Sequence, residues 1–287
     1  MIRGKVALIA IAAASVLAAG GYLGAGLLVA RGTMKGTEQV VATIARDLDG
    51  TSTQMDRLNS AFQLPANLQN AQDAARARQT IDTSRSGLEH TQTTVEIDLR
   101  RLEGADAELR SQVGSPLLAP YRSMLDDEHH RVGRLVDALG AMRDLIRLGD
   151  QQLRVVSALV GVLGGLLQVT ARLDQNDIPG ALAGDSQLET EAQQLAQLSR
   201  TTPLPSVLQD QISTLGTFVT DLKQFLRAAQ AHDLSAVNEL ASKLDQDEKT
   251  MDGYDPNLAN RQEAQLLGPY NDRIQRSLKA LGATPRG

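Results

Sequence analysis

The chain has 287 residues, no cysteine and only seven aromatic residues, none of them tryptophan. The lack of cysteine excludes disulfides, thiolate catalysis and cysteine-based metal sites. Residues 1–36 carry four basic residues and no acidic one, whereas the rest of the chain carries 25 basic and 34 acidic residues. An acidic chain with few aromatic side chains is poorly suited to binding nucleic acid, so we expect no nucleic-acid partner.

The N-terminal region predicts a membrane anchor over residues 1–36. Residues 6–30 are uncharged, and a helix of that length is about 37 Å long, enough to cross a hydrocarbon core of about 30 Å. The hydrophobic part of a cleaved signal peptide, the alternative, is usually only about 7–15 residues long. We therefore expect an uncleaved, single-pass signal-anchor helix. That layout usually places the bulk of the chain outside the cytoplasm, although basic residues flank both ends of the helix.

Small residues recur every four positions along this predicted membrane helix. Such spacing lets two helix backbones approach closely. We therefore predict oligomerisation in the membrane through one helix face, although alanine and glycine are common throughout the segment. The residues of this face are Ala10, Ala14, Ala18, Gly20 and Gly24.

Residues 37–175 form a long region with heptad patterning. Two proline-free intervals, 66–115 and 121–178, show apolar residues at helical spacing and almost no strand alternation. In the first, the residues at every seventh position from Ala74 to Leu109 are apolar, but their companions are small or polar. In the second, sustained heptads predict a coiled-coil seam. That seam contains Leu118, Leu125, Val132, Leu135, Leu139, Met142, Ile146 and Leu153. A reversal at 114–116 would make the two intervals a long antiparallel helical hairpin.

Three points in this region have alternative interpretations. Pro65 is either a kink in one rod or a reversal, and a reversal would require the next helix to break near residues 86–87. The heptad register continues through residues 149–150, which favours one helix over two. Residues 155–171 are uncharged, so they form either a buried core helix, which we favour, or a short second membrane span.

Residues 176–287 predict a bundle of about four shorter helices. Each would begin after a polar capping residue, namely Asp177, Thr202, Asp233 or Asp255. The expected helices lie near 178–200, 203–231, 234–252 and 257–281. Residues 176–178 and 232–234 resemble each other, which is consistent with a duplication or with chance similarity of two helix starts. The whole chain is thus predicted to be all-α.

The sequence offers little evidence of catalysis. Asp126 and Asp127 stand three residues before His129 and His130, a spacing that carboxylate-bundle metal sites also use. Those sites need a second such pair and further inward carboxylates, so we interpret this cluster as a solvated acidic face with Glu128 as a polar layer. No nucleotide-binding, nucleophile or zinc-protease motif occurs. We expect no catalytic residue, no cofactor, no metal site and no enzymatic activity.

The sequence therefore favours a membrane-tethered, non-enzymatic helical scaffold or protein-interaction module that self-associates. A second hypothesis is an extracytoplasmic, sensor-like bundle that binds a small ligand or a partner. Its outline resembles the sensing part of chemoreceptors, although no motif identifies a ligand. A third hypothesis is a cytoplasmic coiled-coil factor of the envelope or of division, anchored by its N-terminus.

Overall fold

The computed structural model describes residues 68–113, 122–253 and 255–280. These residues form six α-helices and no strand, so the all-α prediction is confirmed for this part of the chain. The predicted membrane helix, including its small-residue face, lies outside the described residues, as do Leu118 and Pro65. The helices are α1 Ala71–Val113, α2 Arg122–Asp174, α3 Ile178–Thr201, α4 Ser206–Gln230, α5 Leu234–Asp252 and α6 Pro256–Ala280.

The described residues group into two compact units. Unit A contains residues 87–113, 122–147 and 268–280. Unit B contains residues 68–86, 148–253 and 255–267. Both long helices and α6 contribute to each unit. The division into 1–36, 37–175 and 176–287 suggested by the sequence stays a prediction.

The two long helices are continuous. Helix α1 runs unbroken through Ser86 and Gly87, which excludes the break considered above. Helix α2 runs unbroken through Gly149 and Asp150, as the heptad register indicated. Asp150 does not cap a new helix because its carboxylate accepts hydrogen bonds from the Arg85 and Arg154 guanidinium groups, at 3.0 and 2.9 Å.

The heptad positions are buried in both long helices. In α1 these are Ala74, Ile81, Leu88, Val95, Leu102 and Leu109. In α2 the predicted seam residues Leu125, Val132, Leu135, Leu139, Ile146 and Leu153 are buried, and Met142 is half-buried. Removing such side chains from water stabilises the fold by about 25 cal/mol per Å² of apolar surface. Their pairing as a coiled coil stays a prediction.

The core of unit B forms around the apolar half of α2. Val155, Val162 and Val169 recur every seven residues and pack into one cluster with apolar side chains of α3 and α4. Of the described helices, only α2 is long and apolar enough to cross a membrane, and 39% of its most apolar window is buried. A core helix covered by neighbours passes the same test of length and composition.

The same turn joins α2 to α3 and α4 to α5. Each turn contains a residue with left-handed backbone, Asn176 with φ 55° and His232 with φ 57°. The following N–H groups donate to carbonyls five residues earlier, from Asp177 to Arg172 at 2.9 Å and from Asp233 to Ala228 at 3.0 Å. This is the Schellman pattern that ends many helices. The two similar sequence segments thus form the same local structure.

The connection from α3 to α4 differs from the prediction. Thr202 ends α3 instead of capping α4, and α4 begins at Ser206 and not near residue 203. The reason is the pair Pro203 and Pro205. Helical backbone angles are unfavourable for a residue that precedes proline, here Thr202 and Leu204. The predicted caps Asp177, Asp233 and Asp255 do accept hydrogen bonds from N–H groups of the helices they begin.

Candidate functional site

Unit B contains a groove of about 600 Å³ between α1, α2 and α3. Four glycines contribute to it, three from α2 and one from α3. The remaining lining residues are mostly small or polar. The glycines are Gly161, Gly164, Gly165 and Gly184, and the other lining residues are Ala71, Ala74, Ala75, Arg78, Gln79, Asp82, Thr83, Ser86, Val160, Gln168, Gln187 and Glu191.

The glycines of α2 let its neighbours come very close. A Cβ atom added at Gly164 would lie 2.7 Å from the Ala74 Cβ atom of α1. A Cβ atom added at Gly165 would lie 3.0 Å from the Leu188 Cδ1 atom of α3. Helix axes usually lie 8–10 Å apart, depending on the side chains at the contact. The lack of side chains on α2 therefore brings both walls of the groove against its backbone.

An ion pair connects the two walls. The Arg78 Nη1 atom of α1 lies 3.6 Å from the Glu191 Oε1 atom of α3. Both side chains pass over Gly161, where an added Cβ atom would lie 2.6 Å from the Arg78 Nη2 atom. The Arg78 side chain is 44% exposed, so the pair contributes little stability.

The chemistry of the groove suits a helix better than a small molecule. Small-molecule pockets are lined mainly by hydrophobic and aromatic side chains. Among the described residues no aromatic side chain lines this groove, and its walls consist mostly of alanine, hydroxyl, amide and charged side chains. The short side chains of the α1 wall would allow another helix to approach α1 closely.

A smaller cavity of about 410 Å³ lies in unit A between α1 and α2. Beside it, the Asp106 carboxylate accepts a hydrogen bond from the His129 Nδ1 atom at 2.5 Å and pairs with the Arg110 guanidinium at 2.9 Å. The sequence had placed His129 with Asp126 on one face of α2. The structure instead shows His129 bridging to α1.

The polar cluster at residues 126–130 is partly exposed and forms ion pairs. Asp127 and His130 are exposed, and Glu128 forms an ion pair with Arg131 at 3.4 Å. Within residues 68–113, 122–253 and 255–280, no group of three or more histidine, aspartate or glutamate side chains is arranged to hold a metal ion.

The groove was largely missed by sequence reasoning. Of the predicted seam residues, the seven that the structure describes lie in α2, six of them buried, and none of the seven lines the groove. The sequence drew attention to Gly161, Gly164 and Gly165 only as part of an uncharged stretch. Three glycines in five residues of a buried helix were the available signal, because a helix keeps such residues at a cost of about 1 kcal/mol each relative to alanine.

Comparison of the chain with protein-family models, with curated proteins and with solved structures gave no significant match.

Proposed function

We propose that this protein is a membrane-tethered, non-enzymatic helical module that associates with a second copy of itself. Residues 6–30 would form the membrane helix, and the bulk of the chain would lie outside the cytoplasm with α1 and α2 as an antiparallel coiled coil. The groove of unit B is the observation that carries the proposal. The α1 wall of this groove consists mostly of short side chains, so a second helix could approach α1 closely.

The charges on the groove support a second copy as the occupant. Arg78 and Asp82 lie four residues apart on the face of α1 that lines the groove. A stripe that carries both charges is complementary to itself, because a two-fold axis brings each charge towards its opposite in the other copy. The small-residue face of the predicted membrane helix would raise the effective concentration of the two bundles.

The volume of the groove also supports the sensor hypothesis, since ligand pockets usually measure about 300–1,000 Å³. The lining of the groove supports the sensor hypothesis less, because it is mostly polar and small-molecule pockets are mostly hydrophobic and aromatic. Self-association therefore remains the function that the geometry supports best.

A cysteine cross-linking experiment tests the proposal, because the chain has no native cysteine. Thr83 lines the groove, and Thr217 is an exposed residue of α4 outside it. Both hydroxyls donate to the carbonyl four residues earlier, so the two sites are matched. In membranes treated with a flexible bismaleimide cross-linker, full-length Thr83→Cys should give a covalent dimer, and Thr217→Cys should give severalfold less.

A charge exchange provides the control. Asp82→Arg should lower the yield of the Thr83→Cys dimer because it places like charges in the contact. Adding Arg78→Asp should restore that yield, since the stripe again carries both charges. Equal yields from the two cysteine sites, or no dimer from either, would contradict self-association through the groove.

A further inference from the structure

Helix α4 packs against α3 and α5, and each of these two neighbours carries a carboxylate that is poorly accommodated. Asp185 of α3 lies in the row of buried residues that includes Ala181 and Leu188, and its exposure is 0%. Neither of its carboxylate oxygens accepts a hydrogen bond from another group of the described chain. Burying a charged carboxylate without hydrogen bonds costs free energy that neutralisation removes.

Asp247 of α5 is half-buried, and one of its two carboxylate oxygens resembles those of Asp185. Its Oδ2 atom is buried and accepts no hydrogen bond from the described residues. The carboxylate of Asp221 on α4 acts on it with the same charge. Two carboxylates that share a site favour the uptake of one proton.

We propose that Asp185 and Asp247 make the packing around α4 sensitive to pH. Protonation of these two carboxyls strengthens the packing of α3, α4 and α5 as the pH falls. This regulatory device is independent of self-association, because neither residue lines the groove. Evidence against the pH-dependent packing would therefore not count against self-association, and the reverse also holds.

The charged groups around Asp185 agree with this direction. Burial raises the pKa of the Asp185 carboxyl above its ordinary value of 3.8, against an opposing effect of Lys223. Glu189 of the same helix adds to the rise, and Arg227 of α4 opposes it. Lys223 forms an ion pair with Glu189, so its charge is less effective in stabilising the ionised Asp185 carboxylate.

Burial is also the main cause of the raised pKa of Asp247, and Asp221 adds to it. A carboxyl whose pKa is higher in the folded chain binds more protons than the unfolded chain at the same pH. The free energy of unfolding therefore increases as the pH falls through the folded pKa towards the ordinary value near 3.8. Above the folded pKa values this stabilisation is absent.

Urea denaturation of the full chain in detergent, followed by circular dichroism at pH 7.5, 5.5 and 4.0, tests the proposal. The midpoint of the native chain should rise on acidification relative to the midpoints of the Asp185→Asn and Asp247→Asn variants. Asp185→Asn and Asp247→Asn should each raise the midpoint at pH 7.5, on the order of 0.5 M, and should flatten the pH dependence. Asp210→Asn, at an exposed site on α4, should leave it unchanged.

Lys223→Met gives a change of opposite sign. It removes the main opposing charge, so the midpoint should fall at pH 7.5 and recover in acid. The four histidines are present in every variant, so their titration cancels when variants are compared. A difference between the native and Asp185→Asn midpoints that stays constant from pH 7.5 to 4.0 would overturn the proposal. So would asparagine variants that lose equal stability at every pH.

Discussion

The glycines of unit B differ in what surrounds them. Gly164 faces a methyl group that is fixed to the backbone of α1, at 2.7 Å from the position of an added Cβ atom. Gly216 of α4 has no atom within 4 Å of that position. The same residue type therefore has a packing role at one site and only a cost in helix propensity at the other.

We expect Gly164→Ala and Gly216→Ala to change stability in opposite directions. At residue 164 the new methyl forces α1 and α2 apart, which should cost about 1–2 kcal/mol after the gain in helix propensity. At residue 216 the new methyl meets no neighbour, so the higher helix propensity of alanine should stabilise the fold by about 0.5–1 kcal/mol. Urea denaturation of the two variants measures both values. A stabilised Gly164→Ala would show that α1 does not lie against α2 at this point.

At the scale of elements, α4 depends on a residue far along the chain for its first turn. Its N-cap is Pro205, which provides no side-chain hydrogen bond. Instead, Gln262 of α6 accepts from the Val207 N–H at 3.2 Å and donates to the Ser206 hydroxyl at 2.9 Å. The preceding turn is held by Gln152, which donates to the Pro203 carbonyl at 3.3 Å.

Gln262→Ala should therefore destabilise unit B by about 1 kcal/mol, the usual effect of losing an N-cap hydrogen bond. Gln262→Glu serves as the control. Its carboxylate still accepts from Val207 and favours the positive end of the helix, so it should retain most of the stability. Equal losses in the two variants would indicate that the side chain contributes packing and not the cap.

Helix positions were easier to predict than helix contacts. Heptad spacing and the Asp177, Asp233 and Asp255 caps determine their helices locally, so the sequence predicted them to within a few residues. The sequence gave no indication that Gln262 completes the first turn of α4, because the Val207–Gln262 contact joins residues 55 positions apart. The pairing of His129 with Asp106 was missed for the same reason, since the two residues are 23 positions apart.

The groove could not be predicted as a site because it results from three helices. Its glycines and alanines show close packing only when Ala74, Leu188 and α2 are placed together. The sequence likewise gives no sign that the Asp185 carboxylate lacks a hydrogen-bond partner, because Asp185 stands between the small residues Gly184 and Ser186. Patterns with a fixed period indicate which face of a helix is buried, but they do not identify the neighbour that covers it.

At the scale of the whole molecule, two apolar stretches are candidates for a membrane span. Residues 6–30 are the proposed anchor, whereas the apolar part of α2 contributes Val155, Val162 and Val169 to the core of unit B. If the first stretch is the anchor, the bundle needs no other attachment to the bilayer. If α2 crosses the membrane, the packing of unit B described above does not exist in the cell.

Fractionation of cells that express the full chain or a chain lacking residues 1–36 separates these cases most directly. We expect the full chain to stay in membranes washed with alkaline carbonate, and the shortened chain to be soluble and strongly helical by circular dichroism. A shortened chain that remains in the carbonate-washed membranes would contradict the account, because the apolar stretch of α2 would then be in the bilayer and not in the core.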